Sequence, residues 1–316
     1  MKFSIITPVY NREDSIGRCI KSVLEQDTQF EMEMLIGYDI SQDNTWGEMQ
    51  KFVNDSRLKI ITLPEHGGIN AARNACIEAA QGDYIIILDS DDWFVSNAIE
   101  IIGTTIKQKP GYRYYMFAQD DRMSYFEKHA MTQNEYSEFL YNEFLTGKIG
   151  GDFMHCIESR IMKDYPFDPT VNSYEGVFFL RYYREAKRTL FRKIITVERE
   201  RGREDSATLS TIRLNKKVVK KELCAEMKFL EWFAADVVDC GDLSVLCHHL
   251  NRAYEDSIIL QDSVSKQEVI KMASQYDVVL RPRLVFIDKM GLGNNYYFLI
   301  RTFLYIKYKL LNTRVE

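Results

Sequence analysis

The sequence predicts an α/β protein: a mostly parallel sheet flanked by helices, with a helical C-terminal extension. In the first 120 residues, short apolar runs alternate with segments of helical periodicity, which is the pattern of parallel strands joined by crossover helices. Beyond about residue 214 the pattern is helical throughout. Polar residues directly follow several predicted strands. Ligands bind at the carboxyl ends of strands in open sheets of this kind, so we expect a nucleotide-binding type of architecture.

Individual elements follow from the spacing of apolar residues. The strands are expected near 3–9, 32–39, 58–63, 84–89 and 113–118. The helices are expected over 14–26, 44–54, 69–81 and 96–108, with a further helical stretch near 132–146. In the first helix, apolar residues repeat at spacings of three and four, as one buried helix face requires. We predict one α/β domain over 1–212 and a helical region over 213–316.

The composition restricts the class of protein. The chain has 316 residues, 46% of them hydrophobic, and a net charge of −5, which argues against broad nucleic-acid binding. Its six cysteines include no CxxC pair and do not form the framework of a short secreted protein, so they suit a reducing compartment. The N-terminal sequence lacks the pattern of a signal peptide, and no apolar window is long enough to span a bilayer. We therefore expect a cytoplasmic protein.

Three carboxylates follow the predicted strand that contains residues 85–88. Asp89, Asp91 and Asp92 lie within four residues, where their charges repel one another unless a positive group binds. Mg²⁺ or Mn²⁺ binds a few carboxylate oxygens together with phosphate oxygens. The cluster therefore indicates a metal–diphosphate site, although one of these aspartates can instead cap the helix that begins near Val95.

The ends of the first two strands carry further polar groups. Asp39 ends the second strand, and its carboxylate can accept the N3–H of a uracil or bond its own turn backbone. At the end of the first strand, Pro8 shapes the loop, while Tyr10 offers a ring either for stacking on a base or for packing. Gly68 and Arg73 lie at the start of the third helix, where glycine and helix amides favour phosphate; Arg73 can also be a solvated helix residue.

Four segments in this order resemble glycosyltransferase family 2. They are the end of the first strand, the Asp39 strand end, the glycine segment and the acidic run, that is, Thr7-Pro8-Val9-Tyr10-Asn11, Asp39, 68–74 and Asp89-Ser90-Asp91-Asp92. The resemblance is close over residues 3–95 and loose from there to about 210. It implies a GT-A type fold, a nucleotide-diphosphate-sugar donor, a divalent cation, and inversion at the anomeric carbon.

The resemblance also implies roles for these positions. Thr7 and Asp39 would contact the base, and Arg73 would lie beside the nucleotide. Asp91 would meet the ribose or the metal, Asp92 would bind the metal, and Asp89 would support that site. Residues of about 1–120 would form the donor half of the domain, and those of about 121–212 the acceptor half.

The general base of this family is a later carboxylate that is followed after two residues by an aromatic residue, and Glu175 has that position. Without the resemblance, Glu175 can also be read as the first acid of a helix, stabilised by the helix dipole. The chain departs from the family pattern at Tyr38, where an acid is usual, at His66, where Asn is usual, and at Glu175, where Asp is usual. The first two departures bear on which nucleotide is bound.

Several charged and aromatic groups lie beyond these motifs. Arg201 and Arg203 lie where the family commonly has a mobile loop closing on the diphosphate, and either can neutralise the leaving group or belong to a solvated loop. His155 can contact a sugar hydroxyl or have a structural role. The segment 296–314 mixes aromatic, aliphatic and basic residues, as in helices that lie in a membrane interface; docking on the protein itself or on a dimer partner is the alternative.

The resemblance therefore implies an inverting transferase that moves a sugar, a hexose or N-acetylhexosamine, from a nucleotide-diphosphate donor. UDP is favoured as the nucleotide, and the acceptor is expected to be a hydroxyl of a glycan or lipid-linked carrier in surface-polysaccharide synthesis. The protein would be cytoplasmic, either free or peripheral at the inner face of the cytoplasmic membrane, and a homodimer stays open. Two alternatives stay open: a nucleotidyltransferase-like enzyme, and a non-catalytic nucleotide-sugar-binding subunit of an assembly complex.

Overall fold

The computed structural model describes residues 1–120, 123, 134–169, 171, 174–200 and 215–312, and only the backbone of 305–312. The chain divides into two compact units. The first comprises Met1–Asn172 and Phe178–Gly202, and the second comprises Ser173–Val177 and Arg203–Glu316. The predicted boundary between residues 212 and 213 lies outside the described residues and stays a prediction, as does the division into halves at residue 120.

The first unit is built on one sheet. Its strands are, in chain order, β1 (Lys2–Val9), β2 (Glu31–Tyr38), β3 (Leu58–Thr62), β4 (Tyr84–Ile87), β5 (Trp93–Phe94), β6 (Tyr114–Gln119), β7 (Tyr136–Leu140), β8 (Met154–Glu158) and β9 (Arg188–Glu198). The helices between them are α1 (Ile16–Leu24), α2 (Thr45–Gln50), α3 (Ile69–Ala79), α4 (Ala98–Gln108), α5 (Tyr141–Leu145), α6 (Ser159–Asp164) and α7 (Gly176–Ala186).

The strand order along the sheet is β3-β2-β1-β4-β8-β6-β9-β5, and β7 pairs with β9. The strands from β3 to β4 are parallel, with Ile6 opposite Leu35 and Ile87. β8 is antiparallel to both β4 and β6, whereas β6 and β9 are parallel to each other. The carboxyl ends of β1, β2 and β4 therefore meet at one edge of the sheet.

Helices cover both faces of the parallel part of the sheet. On one face, alternate residues such as Phe3 and Ile5 join a buried core with Ile20 of α1 and Ile102 of α4. On the other face, α3 approaches β2 so closely that a Cβ at Gly37 would lie 2.4 Å from the carbonyl oxygen of Ala72. Alternating side chains buried on both faces are the reason that these strands read as nearly continuous apolar runs.

The second unit is helical over its described residues from 215 onward. Its helices are α8 (Lys216–Asp239), α9 (Leu243–Leu260), α10 (Ser263–Gln275), α11 (Pro282–Lys289) and α12 (Gly293–Asn312). The side chain of Asn215 caps α8 by accepting a hydrogen bond from the Val218 amide, and the Asp262 side chain caps α10 through the Val264 and Ser265 amides. None of the described helices is long and apolar enough to cross a membrane.

The predicted α/β class is confirmed, and the nine elements predicted in the first 120 residues are present within a few residues of their expected bounds. The helical C-terminal region is also confirmed over its described part. The helix predicted near 132–146 was wrong at 136–140, which form β7 and pair with β9. The alternating sequence Tyr-Ser-Glu-Phe-Leu suits a strand, and pairing with β9 supplies the tertiary contacts that decide between helix and strand.

Candidate active site

The loops after β1 and β2 are tied to each other at the carboxyl edge of the sheet. Asn11 has a left-handed backbone with φ of 52°, a conformation that asparagine tolerates better than most residues. Its amide donates to Ser41 Oγ at 2.9 Å, and its Oδ1 accepts from the Gln42 amide at 2.8 Å. The amide of Arg12 donates to Thr45 Oγ1 at 2.7 Å. Asn11 therefore fixes the geometry of the two loops.

Asp39 holds the glycine segment that precedes α3. Asp39 is buried, with 2% of the residue exposed, and its carboxylate accepts hydrogen bonds from the amides of Gly67 at 2.7 Å and Gly68 at 2.9 Å. His66 Nδ1 lies 3.0 Å from Asp39 Oδ2. Gly68 has φ of 81°, a region where a side chain is strained, so glycine suits this turn. The carboxylate bonds a distant loop instead of its own turn, and its predicted contact with a base stays a prediction.

Tyr10 and His66 form an aromatic pair next to the loop that Asp39 holds. Their ring centroids are 4.5 Å apart with an interplanar angle of 39°. Tyr10 is half-buried, while the His66 side chain is 58% exposed. Two rings side by side at the carboxyl edge offer a surface on which a planar base can stack.

Arg73 lies in the first turns of α3, where it is buried. Its guanidinium contacts Asp89 Oδ1 at 3.2 Å and lies 5.4 Å from the ring centroid of Phe167. Asp89 follows β4, so this ion pair connects the start of α3 to the acidic run. Because Arg73 is enclosed by the protein, the structure does not support its reading as a solvated helix residue.

The two remaining acids of the run are each paired with an arginine. Arg12 Nε lies 3.7 Å from Asp91 Oδ2, and Arg199 Nε lies 3.6 Å from Asp92 Oδ2. Burial, together with the charges of Asp89 and Asp91, raises the pKa of Asp92 from its ordinary value of 3.8 to about 8. Asp92 is therefore a carboxyl group in an environment that favours additional positive charge.

Arg199 connects three acids at the end of β9. Besides its contact with Asp92, its guanidinium lies 3.4 Å from Asp152 Oδ2, and its amide donates to Asp120 Oδ1 at 3.0 Å. Arg18 borders the same region, where it lies 3.8 Å from the ring centroid of Trp93 and donates to the Asp91 carbonyl at 3.1 Å. Acidic and basic side chains thus alternate along this edge, an arrangement suited to a ligand that carries both phosphate and metal charge.

Asp91 and Asp92 suit a divalent cation whose other ligands come from outside the protein. In the part of the chain that the structure describes, no group of three or more His, Cys, Asp or Glu residues forms a complete metal cage. Mg²⁺ and Mn²⁺ are commonly held by one or two carboxylates plus substrate phosphates. The raised pKa of Asp92 fits this chemistry, since a bound cation would relieve the cost of ionising that carboxyl group.

His155 lies on β8 among aromatic rings. Its Nδ1 is 2.8 Å from the Tyr114 hydroxyl, and its ring stacks on Phe179 at a centroid distance of 4.3 Å. Removal from solvent lowers the pKa of His155 to about 3. The ring is therefore neutral at physiological pH, and its packing accounts for a structural role; a contact with a sugar hydroxyl stays a prediction.

The other predicted residues have the following places. Thr7 and Pro8 lie in β1 with buried side chains, so Thr7 presents no open side-chain surface to a base. Glu175 precedes the first residue of α7 and is half-buried. That position agrees with either of its sequence interpretations, and its role as a base stays a prediction. Arg201 and Arg203 lie outside the described residues.

Sequence reasoning missed Arg12 and Arg199 as contacts of the acidic run. Arg12 directly follows the motif that ends in Asn11, so its position was available as a signal. Arg199 is distant in sequence from Asp92, and no sequence motif connects the two residues. Only the path of β9 along the sheet brings Arg199 to Asp92.

An open α/β sheet with charged groups gathered at the carboxyl ends of its strands defines a class of proteins that bind ligands at that edge. The model of the family described as glycosyl transferase family 2 matches residues 4–162, half of the chain. This chain belongs to glycosyltransferase family 2, as the sequence motifs predicted.

Two curated relatives illustrate the similarity. The chain is 39% identical over 112 residues to the UDP-Glc:alpha-D-GlcNAc-diphosphoundecaprenol beta-1,3-glucosyltransferase WfgD of Escherichia coli, covering 35% of this chain and 44% of that protein. It is 26% identical over 219 residues to the GalNAc(5)-diNAcBac-PP-undecaprenol beta-1,3-glucosyltransferase of Campylobacter jejuni, covering 66% of this chain and 67% of that protein. The match thus spans less than half of the Escherichia coli relative.

Solved structures share the fold. Staphylococcus aureus TarS 1–349 in complex with UDP-GlcNAc superposes with a TM-score of 0.66 and 18% identity, covering 96% of this chain and 91% of that one. The mannosyltransferase PcManGT from Pyrobaculum calidifontis, in complex with GDP-Man and Mn²⁺, superposes with a TM-score of 0.53 and 14% identity, covering 99% and 86%. The likeness confirms the GT-A type of fold.

Proposed function

We propose that this protein is an inverting glycosyltransferase that moves a sugar from a nucleotide-diphosphate donor to a hydroxyl of a glycan or lipid-linked acceptor in surface-polysaccharide synthesis. The observation that carries the proposal is that two groups of side chains lie at one edge of the sheet. One is the ring pair of Tyr10 and His66, and the other is the acidic run with the arginines that contact it. Arg12 links them, since its amide bonds Thr45 after β2 while its guanidinium contacts Asp91 after β4. These contacts support taking the Tyr10–His66 ring pair and the arginine-lined acids as two parts of one donor site.

The two groups correspond to the two parts of the donor. The rings of Tyr10 and His66 would stack on the base, with Asp39 fixing the loop that carries His66. Arg12 and Arg199 would neutralise the diphosphate, because guanidinium groups bind phosphate oxygens in bidentate fashion. UDP is the nucleotide we favour: the Escherichia coli relative is named for UDP-Glc, and the TarS structure holds UDP-GlcNAc.

A divalent cation completes the proposed donor site. Asp91 and Asp92 would hold Mn²⁺ or Mg²⁺, and the PcManGT complex shows that a protein of this fold binds Mn²⁺ with its donor. When bound, the cation would supply positive charge beside the diphosphate. The arginines that now contact these carboxylates would then be available to the phosphate oxygens.

Glu175 is the residue proposed to accept the proton. The acceptor oxygen forms a bond to the anomeric carbon from the face opposite the nucleotide, and the bond from that carbon to the phosphate oxygen breaks. The proton of the attacking hydroxyl goes to Glu175, and the electron pair of the broken bond leaves with the nucleoside diphosphate. A positioned base contributes roughly 10²–10⁴-fold to such a rate.

The acceptor class comes from the relatives. Both curated relatives described above are named for acceptors that contain undecaprenol. An acceptor of this kind resides in a bilayer, which gives a reason for the peripheral contact predicted through residues 296–314. The donor sugar and the linkage in these names describe the relatives alone.

The donor site is tested by thermal unfolding with UDP-, GDP-, dTDP- and CMP-sugars, each in Mn²⁺ and in EDTA. A ligand that binds only the native state stabilises it, by about 2.7 kcal/mol when the ligand concentration is 100 times its Kd. The melting temperature rises as a result. We expect a shift with UDP-sugars that EDTA removes. An Asp92→Ala variant should lose the shift, whereas Asp27→Ala, at an exposed carboxylate outside the site, should keep it.

The reaction is tested by the product released. A glycosyltransferase releases a nucleoside diphosphate, whereas a nucleotidyltransferase that uses a nucleoside triphosphate and a sugar phosphate releases pyrophosphate. Release of UDP from a UDP-sugar in the presence of an undecaprenol-linked acceptor supports the proposal. Pyrophosphate release would replace it with the nucleotidyltransferase alternative, and donor binding without any product would favour a non-catalytic subunit.

A further inference from the structure

The last helix of the protein, α12, packs on the helical unit through one face. Tyr297 is buried with Val219 and Ile259 in an apolar cluster, and Ile300 packs against that cluster. The hydroxyl of Tyr296 donates a hydrogen bond to Glu255. At the start of α12, a Cβ on Gly293 would lie 2.5 Å from the Ile258 carbonyl, so the helix begins in close contact with α9. The docked face of α12 is therefore already satisfied within the protein.

The remaining face of α12 is apolar and exposed. Phe298 and Leu299 are each 67% exposed, and Phe303, one turn beyond Leu299, is 66% exposed. A helix on the surface of a globular protein usually turns apolar residues toward the core and polar residues toward water. In α12, large apolar side chains lie both on the docked face and on the face toward water. Packing within the described residues does not explain the exposure of the second group.

The neighbouring helix α11 has the same property. Its buried residue is Leu284, while Phe286 is 60% exposed and Met290, one turn later, is 59% exposed. Leu292, in the turn between the helices, is also exposed. We call the exposed apolar side chains of these two helices and of the turn between them the C-terminal apolar surface; its members are Phe286, Met290, Leu292, Phe298, Leu299 and Phe303.

Within residues 279–304, the segment that carries this surface, every exposed charged side chain is positive. Between residues 279 and 304 there are four cations, all exposed, namely Arg281, Arg283, Lys289 and Arg301. The one acid in that range, Asp288, is engaged by Lys266 and by the Tyr254 hydroxyl. Among the described residues, none of the four cations has an ion pair with a carboxylate. This local excess of positive charge contrasts with a net charge of −5 for the whole chain.

We infer that the C-terminal apolar surface and its four cations dock on the anionic headgroup surface of a phospholipid bilayer. Interfacial helices bury aromatic and aliphatic side chains at the boundary of headgroups and acyl chains, while Lys and Arg remain among the anionic headgroups. A second copy of this chain would fit less well, because a self-complementary contact would bring like charges together. The surface extends the interfacial segment predicted from sequence, since α11 supplies Arg283 and Lys289, and Arg281 directly precedes it.

The electrostatic part of this binding has a definite size. Each Lys or Arg near an anionic surface contributes about fivefold to the binding constant, and the effect falls off within a Debye length of about 8–10 Å at physiological salt. Four cations therefore favour an anionic over a neutral bilayer by about 600-fold. The apolar part depends on side chains entering the interface and is insensitive to salt.

Flotation of the full chain with vesicles separates these contributions. Vesicles of phosphatidylcholine are compared with vesicles that also contain about a third phosphatidylglycerol, a composition chosen to give a strongly anionic surface. We expect binding to the anionic vesicles alone, weakening as NaCl is raised. R281Q/R283Q/K289Q should bind about 100-fold more weakly, and F298Q/F303Q should lose binding while its melting temperature is retained.

A matched control is available on α10. Val264 is 68% exposed and lies outside the C-terminal apolar surface, so V264Q removes an equally exposed apolar side chain and should bind as the wild type does. Equal binding of wild type to neutral and anionic vesicles would overturn the inference, as would unchanged binding of F298Q/F303Q. A concentration-dependent dimer in analytical ultracentrifugation that F298Q/F303Q converts to monomer, without vesicle binding by the wild type, would assign the surface to self-association instead.

This inference names the partner of the proposed membrane-associated glycosyltransferase and in that sense rests on the proposed function. The vesicle experiment contains neither donor nor acceptor, so the two can fail separately. Vesicle binding without a nucleotide-sugar shift would remove the proposed function and leave the surface. A UDP-sugar shift without vesicle binding would do the opposite.

Discussion

Replacing Asp92 by asparagine should stabilise the ligand-free protein at pH 8 and abolish its metal-dependent binding of the donor. In the folded chain the pKa of Asp92 is raised from 3.8 to about 8 by burial and by the neighbouring carboxylates Asp89 and Asp91. The folded state therefore keeps a proton on Asp92 that the unfolded state releases above pH 4. Asp92 therefore costs the folded state no stability below pH 3.8. Above that value the free energy of unfolding falls as the pH rises, until Asp92 ionises in the folded state near pH 8.

The size of the effect follows from the two pKa values. Their difference of about 4 units, at 1.36 kcal/mol for each unit, corresponds to about 5 kcal/mol of lost stability above pH 8. Asparagine carries no charge and avoids this loss, but it places a buried amide that needs hydrogen-bond partners. We therefore expect a net gain of about 2 kcal/mol at pH 8, shrinking to below about 1 kcal/mol at pH 4.5, where little of the loss has developed.

Scanning calorimetry in EDTA measures this directly at pH 4.5, 6, 7 and 8. For a unit of this size, about 2 kcal/mol corresponds to a rise in melting temperature of about 4–8 °C. Asp27→Asn, at an exposed carboxylate, serves as the control and should follow the wild type at every pH. The reasoning is refuted if D92N melts at or below the wild-type temperature at pH 8, or if its gain is the same at all four values. With Mn²⁺ and UDP-sugar, the wild type should become the more stable protein.

Three further substitutions test the rest of the site. Gly68→Ala should lower the free energy of unfolding by about 1–2 kcal/mol, because its φ of 81° strains an L side chain; urea unfolding should show no comparable loss for Gly150→Ala, where an added Cβ meets no neighbouring atom. Glu175→Gln should slow transfer by roughly 10²–10⁴-fold while keeping the donor-induced melting shift, and wild-type turnover would exclude Glu175 as the base. Arg199→Gln should weaken UDP binding in calorimetric titration by about 10-fold or more, the value of one charge-assisted contact; an unchanged Kd would mean that Arg199 serves only to neutralise Asp92 and its neighbours.

The central ionisable groups show a conflict between stability and function. Asp92 destabilises the ligand-free fold at neutral pH because three acids share one strand end, and Arg12 and Arg199 compensate in part. Such local costs are commonly found where a protein must bind a charged ligand. The expected stabilisation of D92N and its expected loss of donor binding have the same physical origin.

The sequence alone determined the elements of the parallel sheet and the location of the acidic run. The periodicity of apolar residues is a local property, so β1 to β4 and α1, α3 and α4 could be placed within a few residues. The acidic run was visible because its members are adjacent along the chain. The family motifs likewise lie within the first hundred residues, in an order that the chain itself preserves.

Only the tertiary structure decided which distant groups meet. Asp39 holds the amides of Gly67 and Gly68, which follow the next strand, and β9 carries Arg199 to Asp92 from more than a hundred residues away. The same holds for exposure: composition cannot tell that Tyr297 is buried while Phe298 faces solvent, because both are aromatic residues of one helix. Contacts and exposure depend on how strands order and helices dock, and those are decided by packing energies summed over the whole chain.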